Sequence, residues 1–186
     1  MITVVSGLPR SGTSMMMQIL QAGGLPLLCD QERPADENNP RGYFEYQKVR
    51  RLAADNSWLA EAEGHAIKVV SQLLYHLPRQ FEYCIVFMRR DLTEVIRSQE
   101  QMLASRQVES GLEQQAMREH FTRHLDALEI WMSKQPNMRV FPCDFSRMIA
   151  DPARLAPAIS AFLGILLDPE RMASAIDPTL YRQKAK

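Results

Sequence analysis

A short loop near the start of the chain has the residue types and spacing of a phosphate-binding site. Residues 7–12 read GLPRSG, and Thr13 and Ser14 follow directly. This is the frame of the G-x-x-x-x-G-K-[ST] phosphate loop, but threonine stands where that motif has lysine. An apolar run precedes the loop and a helical pattern follows it. Backbone N–H groups of Ser11 and the next three residues would therefore face an anion at the positive end of a helix.

The missing lysine decides which phosphate chemistry the loop favours. In nucleoside triphosphatases the lysine bridges the β- and γ-phosphates and works with a metal ion. Here Arg10 supplies a cation from inside the loop, and the hydroxyls of Thr13 and Ser14 add hydrogen-bond donors. The loop therefore predicts binding of a phosphate-bearing group, but its cation placement disfavours the usual triphosphate arrangement.

The elements around the loop predict an α/β fold. Apolar runs rich in β-branched residues alternate with segments of helical periodicity. Strands separated by helices form a mostly parallel central sheet flanked by helices on both faces. A chain of 186 residues with 46% hydrophobic content is sized for one core, so residues 1–186 are expected to form a single domain. The predicted strands are Ile2–Ser6, Leu25–Cys29, Ala66–Val70, Tyr83–Met88 and Met138–Cys143. The predicted helices are Thr13–Gln21, Gln47–Ala62, Leu92–Arg106, a long helix after Gly111, and Pro152–Leu163.

Charge and cysteine content exclude several classes of partner and compartment. Lysine and arginine total 22 and so do aspartate and glutamate, and this balance favours neither nucleic acid nor an anionic membrane. The three cysteines are odd in number and lack a CxxC pattern, which predicts reduced thiols. No apolar run approaches a membrane span, and the N-terminus lacks the pattern of a signal peptide. We therefore expect a soluble cytoplasmic protein.

The PRSGTS sequence at residues 9–14 resembles the PRSGT[ST] loop of sulfotransferases, which grips the 5′-phosphosulfate end of 3′-phosphoadenosine 5′-phosphosulfate (PAPS). That family has a second signature after a later strand, where an arginine followed eight residues on by a serine holds the 3′-phosphate. Arg90 and Ser98 have this spacing after the predicted strand 83–88. The resemblance implies two sets of cofactor-binding residues: Pro9, Arg10, Ser11, Gly12, Thr13 and Ser14 in the loop, and Arg90 with Ser98 beyond the later strand.

The second signature also makes physical sense. An arginine fork at the carboxyl end of a strand, with a hydroxyl two helical turns further on, is suited to a terminal phosphate. Arg89 lies at the same junction, but the residue eight positions beyond it is Arg97, so the register favours Arg90. The resemblance continues more weakly through residues 141–164 and the IDPTLYRQ sequence at 176–183. The chain departs from the family in lacking the histidine base of its small-molecule members and their GxxGxxK loop.

The resemblance further implies which residues carry the chemistry. Lys68, late in the predicted strand 66–70, aligns with a lysine that contacts the transferring group in related enzymes. A buried, unpaired lysine is costly, and the alternative is a side chain at the exposed end of the strand. The base would be a carboxylate that follows the second predicted strand. Asp30, Glu37 and Glu45 are the candidates, and Asp30 is favoured by its spacing from the loop.

Together these features imply a PAPS-dependent sulfotransferase that moves a sulfuryl group to a hydroxyl or amine of a small-molecule or peptide acceptor. No metal ion is required in this scheme, because Arg10, Lys68 and the loop amides neutralise the phosphosulfate. One alternative is a degenerate P-loop nucleotide kinase or hydrolase, for which Asp91 is the nearest magnesium-binding acid. The other is a non-catalytic PAPS- or nucleotide-binding protein. The segment NPRGYFE, residues 39–45, either lines an acceptor pocket with Tyr43 and Phe44 or packs these rings into the core.

Overall fold

A parallel β-sheet organises the chain. The structure is a computed structural model that describes residues 1–30, 32–36, 39–105, 113–177, 179 and 181. Over this part of the chain the sheet has four strands in the order β2-β1-β3-β4, and every neighbouring pair is parallel. The predicted α/β fold is therefore confirmed. The strands are β1 (Ile2–Gly7), β2 (Ala66–Val70), β3 (Tyr83–Arg89) and β4 (Met138–Asp144).

Helices cover both faces of this sheet. The described α-helices are α1 (Thr13–Ala22), α2 (Leu92–Ser105), α3 (Gln114–Met132), α4 (Phe145–Ala150), α5 (Pro152–Leu163) and α6 (Pro169–Ser174). Three short 3₁₀ helices span Gln47–Arg51, Ser57–Ala62 and Ser71–His76. None of the described helices has the length and apolar character needed to cross a membrane.

The two faces of the sheet hold two separate apolar clusters. Val5 and Val86 pack with residues of α1, α4, α5 and α6 on one face. Val4 and Ile85 pack with the first two 3₁₀ helices and α3 on the other. Successive strand residues point to opposite faces, and here both faces are buried, which explains the continuous apolar runs in the sequence. Cys29, Cys84 and Cys143 are free thiols.

Two predicted elements differ from the structure. The helix predicted over 47–62 is two short 3₁₀ helices, because the Asp55 carboxylate accepts the backbone N–H of Ser57 at 3.0 Å and interrupts the helix. The strand predicted over 25–29 is reduced to one bridge between Leu27 and Ala66. Pro26 lies in this segment and has no N–H to donate to a ladder, although its carbonyl accepts from Ala66.

Strand register sets the position of the chemistry-bearing residues. Gly7, the last residue of β1, pairs with Val70 on one side and Met88 on the other. Arg89 at the end of β3 pairs with Asp144 at the end of β4. All four strands therefore end at one edge of the sheet. Ligands of open α/β sheets bind at this edge, outside the carboxyl ends of the strands.

Candidate active site

A cleft of about 380 Å³ lies at the carboxyl edge of the sheet. Its volume falls in the range of small-molecule sites, roughly 300–1,000 Å³. Residues from β2, from the loops after β1 and β3, and from α2 meet in its wall, although they are far apart in sequence. Of the predicted site residues, the cleft is lined by Pro9, Arg10, Gly12, Thr13, Ser14, Lys68, Arg90 and Ser98.

The loop after β1 has a backbone that requires glycine at residue 12. Gly12 has φ 98° and is the N-cap of α1, and a Cβ there would lie 2.4 Å from Cδ2 of Phe145. The first N–H groups of any α-helix have no acceptor within the helix, and Gly12 has no side chain to cap those of α1. They lie where the cleft meets the positive end of the α1 dipole. These first-turn amides lie at the cleft, and anion binding by them stays a prediction.

Gly12→Ala is expected to destabilise the fold by about 2–5 kcal/mol, because it adds steric overlap with Phe145 to the cost of a left-handed backbone. Gly24→Ala is the matched control, since Gly24 has φ 101° and nothing within 4 Å of an added Cβ. The control is expected to cost only about 1–2 kcal/mol. Urea denaturation of both variants measures the difference, and equal losses would contradict the close packing of Phe145 on the loop.

Ser11 differs from its predicted place at the cleft. Its N–H donates to the carbonyl of Leu8 at 3.1 Å, so this amide closes the loop instead of facing a ligand. Only 1% of the residue is exposed, and it does not line the cleft. Among the described residues its Oγ is buried without a hydrogen-bond partner. A direct role of Ser11 in cofactor binding stays a prediction.

The two predicted phosphate motifs contact each other. Arg10 Nε donates to Ser98 Oγ at 2.9 Å, and Arg90 Nη1 donates to the Arg10 carbonyl at 3.1 Å. Burial lowers the pKa of Arg10 from its usual value. Residues that lie 80 or more positions apart in the sequence are thus joined in one hydrogen-bond network. The arginine and serine of the second signature lie at the same cleft as the loop of the first.

A buried carboxylate holds Arg90 in the cleft wall. Arg90 Nε donates to Glu94 Oε2 at 2.8 Å, and their side chains are only 9% and 4% exposed. The ring of Phe145 lies 4.3 Å from the guanidinium carbon, within cation–π range. Sequence reasoning missed both partners. The signal for Glu94 was its position four residues from both Arg90 and Ser98, which places Glu94 and Ser98 on one face of α2.

Lys68 is buried and bonded to the phosphate loop. Its side chain is 8% exposed, and Nζ donates to Ser14 Oγ at 3.1 Å and to the Tyr43 carbonyl at 2.8 Å. Burial lowers the pKa of Lys68 to about 8, partly offset by the nearby carboxylate of Glu45. The exposed strand-end position, the alternative left open by the sequence, is therefore wrong. A buried lysine with donors aimed at the loop is suited to a group bound there.

Of the three candidate bases, Glu45 lies beside Lys68. Glu45 lines the cleft, and its Oε1 is 3.7 Å from Lys68 Nζ. Arg33 Nη1 donates to Oε1 at 2.8 Å and Arg50 Nη2 donates to Oε2 at 3.2 Å, so both oxygens are oriented. Glu37 lies outside the described residues.

Asp30, the candidate favoured by spacing, occupies a different place. Its two carboxylate oxygens accept the backbone N–H groups of Glu32 at 3.2 Å and Gln47 at 2.6 Å. It does not line the main cleft but a smaller hollow of about 200 Å³, which Glu45 also borders. Asp30 therefore fixes a turn in the irregular segment, and the structure does not bring it to Lys68.

The 39–45 segment divides its aromatic residues between the cleft and the core. Tyr43 lines the cleft and donates its hydroxyl to the Asp36 carboxylate at 2.7 Å. Phe44 packs against the apolar cluster that contains α1. Asn39 Nδ2 donates to Ser14 Oγ at 3.0 Å and so attaches the segment to the phosphate loop. The core alternative therefore describes Phe44, and a role of Tyr43 in an acceptor pocket stays a prediction.

Comparisons with known proteins bear on the fold. No protein-family model matches this chain, and no curated protein matches its sequence. Solved structures match it, and they include the sulfotransferase domain from the curacin biosynthetic pathway, with 13% identity and a TM-score of 0.55. That match covers 95% of this chain and 82% of the other.

Two further structures extend the comparison to larger proteins. A mouse sulfotransferase complexed with PAP is 17% identical, with a TM-score of 0.54, and the match covers 94% of this chain and 61% of that one. A retinol dehydratase in complex with androsterone and inactive cofactor PAP is 18% identical, with a TM-score of 0.50 and coverage of 93% and 62%. At these identities the likeness defines the architecture. The chain has the α/β fold of the sulfotransferases.

Proposed function

We propose that this protein is a sulfotransferase that transfers a sulfuryl group from PAPS to a hydroxyl or amine of a small acceptor. The observation that carries the proposal is that the loop after β1 and the Arg90–Ser98 pair line the same cleft. The two sets are joined there by a 2.9 Å hydrogen bond from Arg10 to Ser98. PAPS bears anionic groups on both its 5′ and 3′ oxygens, and a cleft with two joined anion-binding sets matches that pattern. Fold neighbours crystallised with PAP support the same ligand class.

The residues present fit the donor. Thr13, Ser14, Arg10 and the first-turn amides of α1 would hold the phosphosulfate end, with Lys68 directed at the same group. Arg90 and Ser98 would hold the 3′-phosphate, and Pro9, Ser11 and Gly12 shape the loop. PAPS supplies the activated sulfuryl group. Transfer would form a bond from the acceptor oxygen or nitrogen to sulfur and break the S–O bond to the 5′-phosphate, so that adenosine 3′,5′-bisphosphate is the leaving group.

Two side chains are placed for the chemistry of transfer. Glu45 would accept the proton of the acceptor hydroxyl or amine, as a general base on the cleft wall. Lys68, 3.7 Å from it, would neutralise charge that develops on the transferring oxygens and the leaving phosphate. We propose Glu45 in preference to Asp30 because Glu45 alone of these two lines the cleft. A role for Glu37 stays a prediction.

The kinase alternative has less support from the geometry. Its candidate magnesium-binding acid, Asp91, accepts the backbone N–H groups of Thr93 at 2.8 Å and Glu94 at 3.3 Å through Oδ1. This carboxylate therefore caps the start of α2. Magnesium-dependent hydrolysis of ATP by the purified protein would support the kinase or hydrolase alternative. Tight binding of PAPS with no transfer to any acceptor would favour a binding protein.

The test of the proposed function is nucleotide discrimination. Adenosine 3′,5′-bisphosphate (PAP) is expected to bind more tightly than AMP, and Arg90→Ala is expected to remove most of this preference. The loss should be about 1.5–3 kcal/mol, the scale for a charge-assisted hydrogen bond. Isothermal titration calorimetry with both nucleotides measures it.

Arg89→Ala is the matched control for this titration. Arg89 is the neighbouring residue, its side chain is 50% exposed, and it pairs with Glu129 at 2.9 Å outside the cleft. Its removal is expected to leave the preference for PAP unchanged. Equal affinity of the wild-type protein for AMP and PAP would overturn the proposed function.

A further inference from the structure

The guanidinium of Arg90 is enclosed by two aromatic rings. Phe145 lies 4.3 Å and Tyr181 lies 5.4 Å from it, measured to the ring centroids. The two rings contact each other edge to face, with centroids 5.1 Å apart. Cation–π attraction holds an arginine at such distances and limits its rotation. The C-terminal Tyr181 is thus part of the wall of the proposed 3′-phosphate site.

Tyr181 also bonds to the carboxylate that holds Arg90. Its hydroxyl donates to Glu94 Oε1 at 2.6 Å, while Arg90 Nε donates to Oε2 of the same carboxylate at 2.8 Å. Burial, together with this hydrogen bond, raises the pKa of Tyr181 to about 12, so the phenol stays a donor at neutral pH. The two oxygens of Glu94 are therefore shared between the phenol and the guanidinium.

A carboxylate with both oxygens available tends to pair with arginine in a bidentate manner, through two N–H groups. The phenol of Tyr181 competes with that arrangement because it occupies Oε1. Loss of the hydroxyl would leave Glu94 Oε1 to pair anew with the guanidinium of Arg90, and this would change the orientation of that guanidinium in the cleft. The hydroxyl thus affects how Arg90 is presented to the cleft.

Two residues that precede Tyr181 in the chain, Ala175 and Asp177, are bonded to Arg41. Arg41 donates to the Ala175 carbonyl at 2.7 Å and to the Asp177 carboxylate at 3.0 Å. Ala175, Asp177 and Tyr181 all line the cleft. The contacts with Arg41 therefore hold Ala175 and Asp177 at the cleft, and the contact with Glu94 holds Tyr181 there.

We propose that Tyr181 positions Arg90 for the 3′-phosphate and thereby determines how strongly the site prefers a 3′-phosphorylated nucleotide. This inference rests on the proposed function. It assigns a specificity role to a residue that the phosphate motifs of the sequence do not include. Tyr181 acts through Glu94 and Arg90, and of these three residues only Arg90 contacts the 3′-phosphate.

Tyr181→Phe tests this role because it keeps the ring and removes the hydroxyl. Affinity for PAP is expected to fall roughly five- to tenfold, while affinity for AMP stays unchanged. In an Arg90→Ala background the same substitution is expected to change neither affinity. Tyr46→Phe is the matched control, since the Tyr46 hydroxyl donates to Glu61 at 3.2 Å and the residue lies outside the cleft.

The outcomes separate this inference from the proposed function. A wild-type protein that binds AMP and PAP equally overturns both. If the wild-type protein prefers PAP and the Tyr181→Phe variant shows the same preference, the proposed function stands and only the role of Tyr181 is overturned. A Tyr181→Phe variant that loses affinity for both nucleotides alike also overturns it. A loss that persists in the Arg90→Ala background would show that Tyr181 acts independently of Arg90, which again contradicts the inference.

Discussion

Lys68→Ala is expected to lower sulfuryl-transfer turnover by about a hundredfold or more while affinity for PAP stays near that of the wild-type protein. This is the scale for removing one preorganised donor that acts on charge formed in the transition state. The variant is expected to fold, because Glu45 keeps its pairs with Arg33 and Arg50 and the Tyr43 carbonyl keeps the hydroxyl of Ser14 at 3.3 Å. Turnover with labelled PAPS and calorimetry with PAP measure the two quantities.

The acceptor for this assay comes from a screen of phenols, alcohols and amines with labelled PAPS. Lys48→Ala is the control, because Lys48 is an exposed residue that pairs with Glu61 at 3.2 Å outside the cleft. Its turnover is expected to match the wild-type value. Full activity of Lys68→Ala would contradict the proposed role and leave charge neutralisation to Arg10 and the loop amides.

The lowered pKa of Lys68 gives this prediction a pH dependence. With a pKa of about 8, Lys68 carries its charge below that pH and loses it above. Turnover that depends on the ammonium group is therefore expected to fall as the pH rises through about 8. Lys68→Arg keeps its charge across this range, so its profile is expected to lack the falling limb, whatever its absolute rate. A falling limb that persists in Lys68→Arg would assign the titration to another group.

The parts of the site that were predictable from sequence are those in which short-range spacing fixes geometry. A glycine-framed loop between a strand and a helix has few backbone solutions, and Gly12 adopts the left-handed φ that this loop needs. Arg90 lies two residues before α2 and Ser98 lies within it, and this short separation brings both side chains to the same cleft. The four central strands were predictable for a similar reason, since burial on both faces leaves continuous apolar runs.

Which candidate carboxylate lies beside Lys68 was not predictable, because it depends on the path of an irregular segment. Residues 30–46 have no hydrophobic period, and spacing from the loop favoured Asp30. Backbone N–H groups of Glu32 and Gln47 instead take the Asp30 carboxylate, and Glu45 reaches Lys68. Short polar side chains often bond to nearby backbone in this way, and sequence spacing alone does not show which will do so.

Glu45→Gln is expected to lower turnover by about two to four orders of magnitude, the range for loss of a general base. The substitution keeps the shape of the side chain and an oxygen that can accept from Arg33, so affinity for PAP is expected to change little. What it removes is the carboxylate that we propose as proton acceptor on the cleft wall. An acceptor with a more acidic hydroxyl needs less help from a base, and the defect should therefore shrink along a series of phenols of falling pKa.

Asp30→Asn separates this role from a general need for negative charge in the segment. Asp30 borders the same small hollow as Glu45 but does not line the cleft, so its neutral variant is expected to retain most of its turnover and to show no dependence on phenol acidity. Turnover of both variants over the phenol series decides between the two carboxylates. If Asp30→Asn shows the large defect that shrinks with acceptor acidity while Glu45→Gln stays active, Asp30 is the base and the segment must rearrange when substrates bind.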